Sequence, residues 1–101
     1  MDAALAALAD PVRRRVIDTL RSGERSAGEI ERALRLTQPG ASKHLRALRR
    51  AGLVRVRKDA QRRMYRLAPE PLAELDAWLA PYRAFWNDRL DALERHLDEE
   101  S

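Results

Sequence analysis

Residues 37–50 place small hydrogen-bonding side chains and basic side chains on one face of a predicted helix. At 100° per residue, that face consists of Pro39, Ser42, Lys43, Arg46 and Arg50. Small groups near the start of a helix let its backbone approach base edges, and arginines further along reach phosphates. Gly40 fits the same demand for close approach. This division of the face is typical of a helix that enters the major groove of DNA.

A second basic cluster lies at the tip of a predicted hairpin and consists of Lys58, Gln61, Arg62 and Arg63. A flexible basic loop beside a recognition helix can lie along the DNA backbone or enter the minor groove. The alternative is protection of the sheet edge, because lysine and arginine also discourage strands from pairing with other chains. The neighbouring helix favours contact with nucleic acid, since residues 35–66 hold 11 basic groups against one acid, Asp59.

The same residues do not assemble into a catalytic site. Ser42, Lys43 and His44 contain a nucleophile and a base, but adjacent helical residues point about 100° apart. The chain has no cysteine nucleophile and no glycine-rich phosphate-binding loop. We therefore predict no catalytic residues and no enzymatic activity.

The residue types also give weak support to metal binding. The two histidines are His44, within the basic helix, and His96, which has carboxylates scattered around it in the last helix. One histidine with scattered carboxylates makes a poor transition-metal site, and a solvated surface explains it better. We predict neither a metal site nor a cofactor.

The basic helix needs a scaffold, and the sequence predicts a helix-turn-helix pair over about residues 26–50. Ser26 and Glu29 fit a capping box that starts the first helix. A three-residue turn follows, and Thr37 can cap the second helix. Gly52 is placed to end that helix in the left-handed conformation.

Two shorter helices are predicted ahead of this pair. Asp2 can cap a helix over residues 3–8, with Leu5 and Leu8 on one face. Asp10-Pro11 then reads as a cap followed by proline at the first position of the next helix.

Residues 53–67 predict a β-hairpin beside the helix pair. Val54 and Val56 alternate with basic residues, and a second extended run follows. Because alanine is a poor residue for positive φ, Ala60 argues against a tight two-residue turn. We expect a longer and mobile tip.

The last segment, about residues 70–98, repeats apolar residues every three or four positions. It predicts one long amphipathic helix, or two stacked helices if Pro81 interrupts it. Such a helix spans roughly 40 Å, longer than a domain of this size covers alone, so we expect it to pair with the same helix of a second subunit. The predicted interface of this homodimer comprises Leu5, Leu8, Leu75, Trp78, Leu79, Tyr82, Trp86, Leu90 and Leu93.

Charge is divided unevenly along the 101 residues. Residues 12–67 hold 17 Lys and Arg against 5 Asp and Glu, whereas residues 68–101 hold 3 against 9. A basic body favours a polyanionic partner. No apolar run approaches the roughly 20 residues of a membrane span, the N-terminus shows no signal-peptide pattern, and the lack of cysteine suits a reducing compartment. We expect a single domain, 1–101, in the cytoplasm with no membrane contact.

Three stretches carry a family resemblance: "TQPGASKHLRALRRAGLVRVRKDAQRRMYRL", "LADPVRRRVIDTLRSGERSAGEI" and "WLAPYRAFW". They resemble the ArsR/SmtB family of winged-helix repressors over nearly the whole chain. The resemblance implies a mainly α winged helix-turn-helix fold with a small β-hairpin wing, whose N- and C-terminal helices form a dimer interface. It also implies a homodimeric repressor of transcription that binds a palindromic operator in double-stranded DNA. By resemblance, Gln38, Ser42 and Lys43 read bases, and Thr37 and His44 make phosphate or supporting contacts.

The chain departs from the metal-sensing members of that family. The helix that often carries a cysteine metal site there reads "SAGEIERAL" here and has no thiol. Two alternatives stay open: a repressor that responds to a metal or an unknown small-molecule effector at a site not visible in the sequence, and a winged helix that serves as a protein-interaction module.

Overall fold

The computed structural model describes residues 1–100 as five helices and a small antiparallel sheet. The elements are α1 (Asp2–Leu8), α2 (Pro11–Thr19), β1 (Arg25–Ser26), α3 (Ala27–Leu34), α4 (Gln38–Arg50), β2 (Val54–Asp59), β3 (Arg62–Leu67) and α5 (Pro69–Glu100). The strand order is β1-β3-β2. The predicted mainly α architecture with a hairpin wing is confirmed, and the sheet gains a third strand, β1, that the sequence analysis did not predict.

The side chains predicted to start α2, α3 and α4 do so. The Asp10 carboxylate accepts hydrogen bonds from the backbone N–H groups of Val12 and Arg13, at 2.8 and 3.1 Å. Ser26 and Glu29 form the reciprocal capping box, and Thr37 caps α4. The predicted cap at Asp2 is wrong, because α1 already begins at that residue.

Two arginines of α2 fasten the end of α1. Arg13 Nε donates to the carbonyl oxygen of Ala7 at 2.7 Å, and Arg14 Nη1 donates to those of Leu8 and Ala9 at 2.7 and 3.1 Å. The last carbonyls of a helix have no partner within it, so these bonds satisfy them. Arg13 and Arg14 therefore hold α1 against the body.

The apolar stripe of α4 lies on the side of the helix opposite its basic face and is buried. Ala41, Leu45 and Leu48 are 0–2% exposed. Leu45 and Leu48 belong to the core cluster that also contains Val16, Ile30 and Leu53. Gly52 ends the turn after α4 at a φ of 77°, and the Leu53 N–H returns to the Leu48 carbonyl at 3.0 Å. The buried stripe fixes which face of α4 points outward.

The tip of the wing is tighter than predicted. Asp59 pairs directly with Arg62 across the hairpin, so Ala60 and Gln61 alone form the turn. Ala60 takes the positive φ of 56° that the sequence argument held to be unfavourable. The ladder of β2 and β3 continues to Asp59 and Arg62 and imposes this conformation, at a modest local cost.

Helix α5 runs through Pro81 as one element of 32 residues. The alternative of two stacked helices is therefore wrong, although Pro81 still lacks the N–H that would bond to the preceding turn. Leu75, which was predicted to lie in the subunit interface, is 9% exposed and packs in the chain's own core, so most of its surface is already covered within one subunit. None of the helices within residues 1–100 is long and apolar enough to cross a membrane.

Candidate nucleic-acid interface

The outward face of α4 carries the residues predicted to contact DNA. Ser42, Lys43 and Arg46 are exposed, as are the three residues that open the helix, Thr37, Gln38 and Pro39. Lys43 and Arg46 form no ion pair with any acid among residues 1–100. The face is thus available to a ligand and carries uncompensated positive charge.

The structure gives a second reason for glycine at position 40, besides the close approach to DNA that the sequence predicts. The Gly40 N–H donates to Thr37 Oγ1 at 3.2 Å. A Cβ atom at position 40 would lie 3.1 Å from that same oxygen, which is tighter than ordinary van der Waals contact. Glycine therefore lets the cap of α4 close.

His44 differs from its neighbours on α4. Its side chain is half-buried, and its Nδ1 is buried without a hydrogen-bond partner within the described chain. The ring also contributes electrostatically to lowering the pKa of the Asp10 carboxyl, behind the larger effect of the hydrogen bond from the Arg13 backbone. His44 is thus directed at the body, next to the cap of α2, and suits a supporting role.

The four side chains predicted to contact DNA from the tip of the wing are exposed, three of them basic and one a neutral amide: Lys58, Gln61, Arg62 and Arg63. Three of them line one open groove of about 690 Å³ together with Gln38 from α4, the cap residue Ser26, and five residues of α3: Ala27, Gly28, Glu29, Glu31 and Arg32. The structure therefore brings the predicted helix contacts and the predicted wing contacts together on one side of the molecule.

Glu24, which the sequence analysis did not select, neutralises the base of the wing. Its two carboxylate oxygens accept hydrogen bonds from Arg57 Nε and Nη2, each at 2.8 Å, and Arg66 Nη1 lies 3.9 Å away. The bond from Arg57 holds the pKa of the Glu24 carboxyl below its ordinary value. Arg57 and Arg66 therefore share the one negative charge of Glu24, whereas Lys58 and Arg63 pair with no acid in residues 1–100.

A second unpartnered surface runs along α5. Its large apolar side chains are 41–58% exposed, and we call the following set the α5 stripe: Trp78, Tyr82, Phe85, Trp86, Leu90, Leu93 and Leu97. The rings of Trp78 and Tyr82 lie 5.3 Å apart, and the Arg89 guanidinium sits 5.2 Å from the centre of the Phe85 ring. Leu5 on α1 is 41% exposed, while Leu8 and Leu79 are half-buried.

No three His, Asp or Glu side chains within residues 1–100 converge in a way that could hold a metal ion. His96 Nε2 lies 2.9 Å from Glu100 Oε1, one turn further along α5. This exposed pair accounts for the histidine that the sequence left without a role.

Comparison with known proteins gives one consistent assignment. A helix-turn-helix domain family matches residues 8–57. The transcriptional regulator Rv2034 of Mycobacterium tuberculosis is 37% identical over 99 residues, which cover 98% of this chain and 90% of that protein. The crystal structure of an ArsR family transcriptional regulator, RHA00566, is 30% identical with a TM-score of 0.74, and covers 85% of this chain and 89% of its own. The homodimeric winged helix-turn-helix DNA-binding domain Mb0332 from Mycobacterium bovis is 34% identical with a TM-score of 0.68, over 82% and 77% of the two chains.

Proposed function

Since the chain belongs to the ArsR family of helix-turn-helix transcriptional regulators, we propose that it works as a homodimer that binds a palindromic DNA operator and represses transcription. The observation that carries the proposal is the face shared by α4 and the wing. It is exposed and basic, and four of its residues form no ion pair within residues 1–100: Lys43, Arg46, Lys58 and Arg63. Repression is what the family resemblance implies, and the lack of cysteine suits a reducing cytoplasm. The activity is binding, and we assign no catalytic step to any residue.

In this proposal the start of α4 reads sequence. Gln38, Ser42 and Lys43 lie within the first two turns, where side chains of a recognition helix reach base edges in the major groove. Pro39 and Gly40 keep that end of the helix narrow, and Thr37 with Arg46 contacts the flanking backbone. Such backbone contacts supply most of the affinity, and the base contacts supply the sequence preference.

The wing forms the second contact of each subunit. Lys58, Gln61, Arg62 and Arg63 lie beyond the strand residues that Glu24 compensates. A loop with this composition can follow the DNA backbone or enter the adjacent minor groove. The wing therefore adds affinity that depends on salt and little on base sequence.

The α5 stripe supplies the subunit interface. Helix α5 has 32 residues, and at 1.5 Å per residue it spans roughly 48 Å, which exceeds the 26 and 21 Å of the shorter molecular axes. Pairing of the stripe with that of a second copy, with help from Leu5, Leu8 and Leu79, covers its aromatic side chains. A two-fold dimer then sets two α4 helices about one DNA turn apart, roughly 34 Å.

The experiment that tests this function is selection of bound duplexes from a random pool by the purified protein. We expect an inverted repeat with half-site centres about 10 base pairs apart, bound at least about 10³-fold more tightly than random DNA. The variant S42A/K43A should lose most of this preference, whereas R15A, which removes one exposed positive charge elsewhere, should keep it. Enrichment of no sequence by the wild type would contradict the proposal and favour the protein-interaction module.

A further inference from the structure

A small pocket opens between the recognition helix and the wing, separate from the larger groove at the start of α4. It has a volume of about 100 Å³ and is lined by Ser42, Leu45, Arg46, Arg49, Arg63 and Tyr65. Helix α4 contributes the first four of these residues and strand β3 the last two. A pocket of this size admits one small ion or functional group, and no larger ligand.

Three arginines line this pocket, Arg46, Arg49 and Arg63, and no acid of residues 1–100 pairs with them. Glu31 lines an adjoining pocket of about 200 Å³ that also contains Arg63, but it lies beyond ion-pair distance of that arginine. Like charges held near one another repel, so an anion bound among them lowers the free energy of the arrangement.

We propose that this pocket binds one phosphate group, with the guanidinium groups of Arg46, Arg49 and Arg63 as donors. The arginine fork matches the oxygens of a phosphate and can donate two hydrogen bonds to it. The proposal rests on the proposed function, because the phosphate we assign is a phosphodiester of the DNA backbone. It adds Arg49 and Tyr65 to the interface, neither of which the sequence analysis selected.

The place of the pocket in the fold supports this assignment. Its two walls are the helix proposed to enter the major groove and the strand that leads to the wing tip. A DNA backbone that runs between those two contacts passes over the pocket. Because Ser42 and Arg63 are shared with the proposed contacts on either side, a phosphate seated here sets the depth of α4 in its groove.

The test compares R49A with R50A on a random duplex over a range of salt concentrations. Both variants remove one exposed arginine from the last turn of α4. The helical projection put Arg50 on the basic face of α4, but in the structure it lines a different groove, against α1, and it does not line the pocket. For R49A we expect about tenfold weaker binding, equal for random and operator DNA, and a salt slope that falls by about one. R50A should lose no more than about twofold. R49K should keep the wild-type salt slope while regaining part of the affinity, since it restores the charge without the fork.

A second arm separates a DNA phosphate from free phosphate. The wild-type protein is titrated with inorganic phosphate, and with chloride at equal ionic strength, while the arginine Nε–H signals are followed by NMR. Weaker DNA binding by R49A without phosphate-specific shifts supports the DNA backbone as the ligand. The opposite outcome is phosphate-specific shifts at Arg46, Arg49 and Arg63 together with equal DNA affinities of R49A and R50A. It would overturn the DNA backbone as the ligand and assign the pocket to free phosphate. If R49A binds DNA as R50A does and inorganic phosphate causes no specific shifts, the pocket is overturned as a phosphate site.

The random duplex also keeps this test independent of the proposed function. Selection of no operator by the wild type would overturn sequence-specific regulation, whereas the difference between R49A and R50A on random DNA would still be measurable. If the wild type selects an operator but R49A and R50A bind random DNA equally, the phosphate site is overturned and the proposed function stands.

Discussion

Helices α4 and α5 are both amphipathic, yet they differ in where their apolar faces lie. The stripe of Ala41, Leu45 and Leu48 on α4 is buried by the same chain, whereas the α5 stripe is exposed along most of its length. On α4 the polar face is the one left for a ligand. On α5 the apolar face is the one left for a partner.

The contrast shows that amphipathicity alone does not say which face of a helix is functional. Here the length of the helix decides which face is functional. The 13 residues of α4 span roughly 20 Å and fit against the body, but only the start of α5 finds a core to cover. Beyond Leu75 no residue of α5 is buried, up to Glu100. A helix that outgrows its own core needs a partner for its apolar face.

The strongest way to break this comparison is to charge the α5 stripe. The variant W86D/L90D should be monomeric, because two carboxylates at the centre of a pairing surface lose their hydration without a partner. A monomer engages one half-site, so we expect operator affinity to fall at least about 10³-fold, to near the level of random DNA. Sedimentation equilibrium and DNA titration measure the two effects.

A matched control lies on the opposite face of the same helix. Ala77 and Ala84 are exposed and project away from the stripe, so A77D/A84D introduces the same charge on the other face, nearer the start of α5. It should stay dimeric and bind the operator as the wild type does. Equal behaviour of the two double variants would refute a dimer built on the stripe.

The next test replaces one leucine of each helix with alanine. L48A removes a fully buried side chain from the α4 stripe and should lower the free energy of unfolding by about 3 kcal/mol. L97A removes an exposed side chain from the α5 stripe and should change it by less than about 0.5 kcal/mol. Both are measured by urea titration in the W86D/L90D background, which takes dimerisation out of the comparison. A comparable loss from L97A would show that the end of α5 packs on its own chain.

The sequence predicted α4 to its observed bounds because its signals are local. A threonine cap, a proline in the first turn and Gly52 after the last turn each act within a few residues of the helix end. The capping box at Ser26 and the cap at Asp10 were predictable for the same reason. The basic face of α4 followed directly from these bounds.

The misses share a different cause, since each depends on contacts with distant residues. Strand β1 has two residues, too few to show a pattern, and exists because β3 lies beside it. The conformation of Ala60 is imposed by the ladder of the wing. Glu24 and Arg49 became part of the candidate site only when the fold placed them beside Arg57 and Arg63. The burial of Leu75 likewise depends on where the body ends beneath α5.

A smaller effect is expected from the compensated base of the wing. E24Q keeps the shape of the side chain but removes the charge that neutralises Arg57 and Arg66. These arginines then add to the positive field of the wing, so we expect random DNA to bind about two- to threefold more tightly, with a steeper salt dependence. E94Q removes an equal charge from the exposed end of α5 and should change neither quantity. A weaker affinity of E24Q for random DNA would mean that Glu24 positions the wing and does not shield it.

The smallest expected effect belongs to the cap that orients α2 beneath α4. The hydrogen bond from the Arg13 backbone, assisted by that from Val12, holds the pKa of the Asp10 carboxyl below its ordinary value. Because the folded state lowers this pKa, the carboxylate contributes stability that is fully present above the unfolded value of about 3.9 and is lost as pH falls through the lower folded value. D10N retains a capping oxygen without a titrating group, so its unfolding free energy should change less than that of the wild type between about pH 4 and pH 2.

D10A, which lacks the cap, should be less stable than both above about pH 4 and should approach the wild type in acid. Urea titrations at fixed pH measure all three proteins. Parallel profiles for the wild type and D10N would mean that the cap acts through its geometry alone, and that the charge of Asp10 contributes nothing to how the body holds α4.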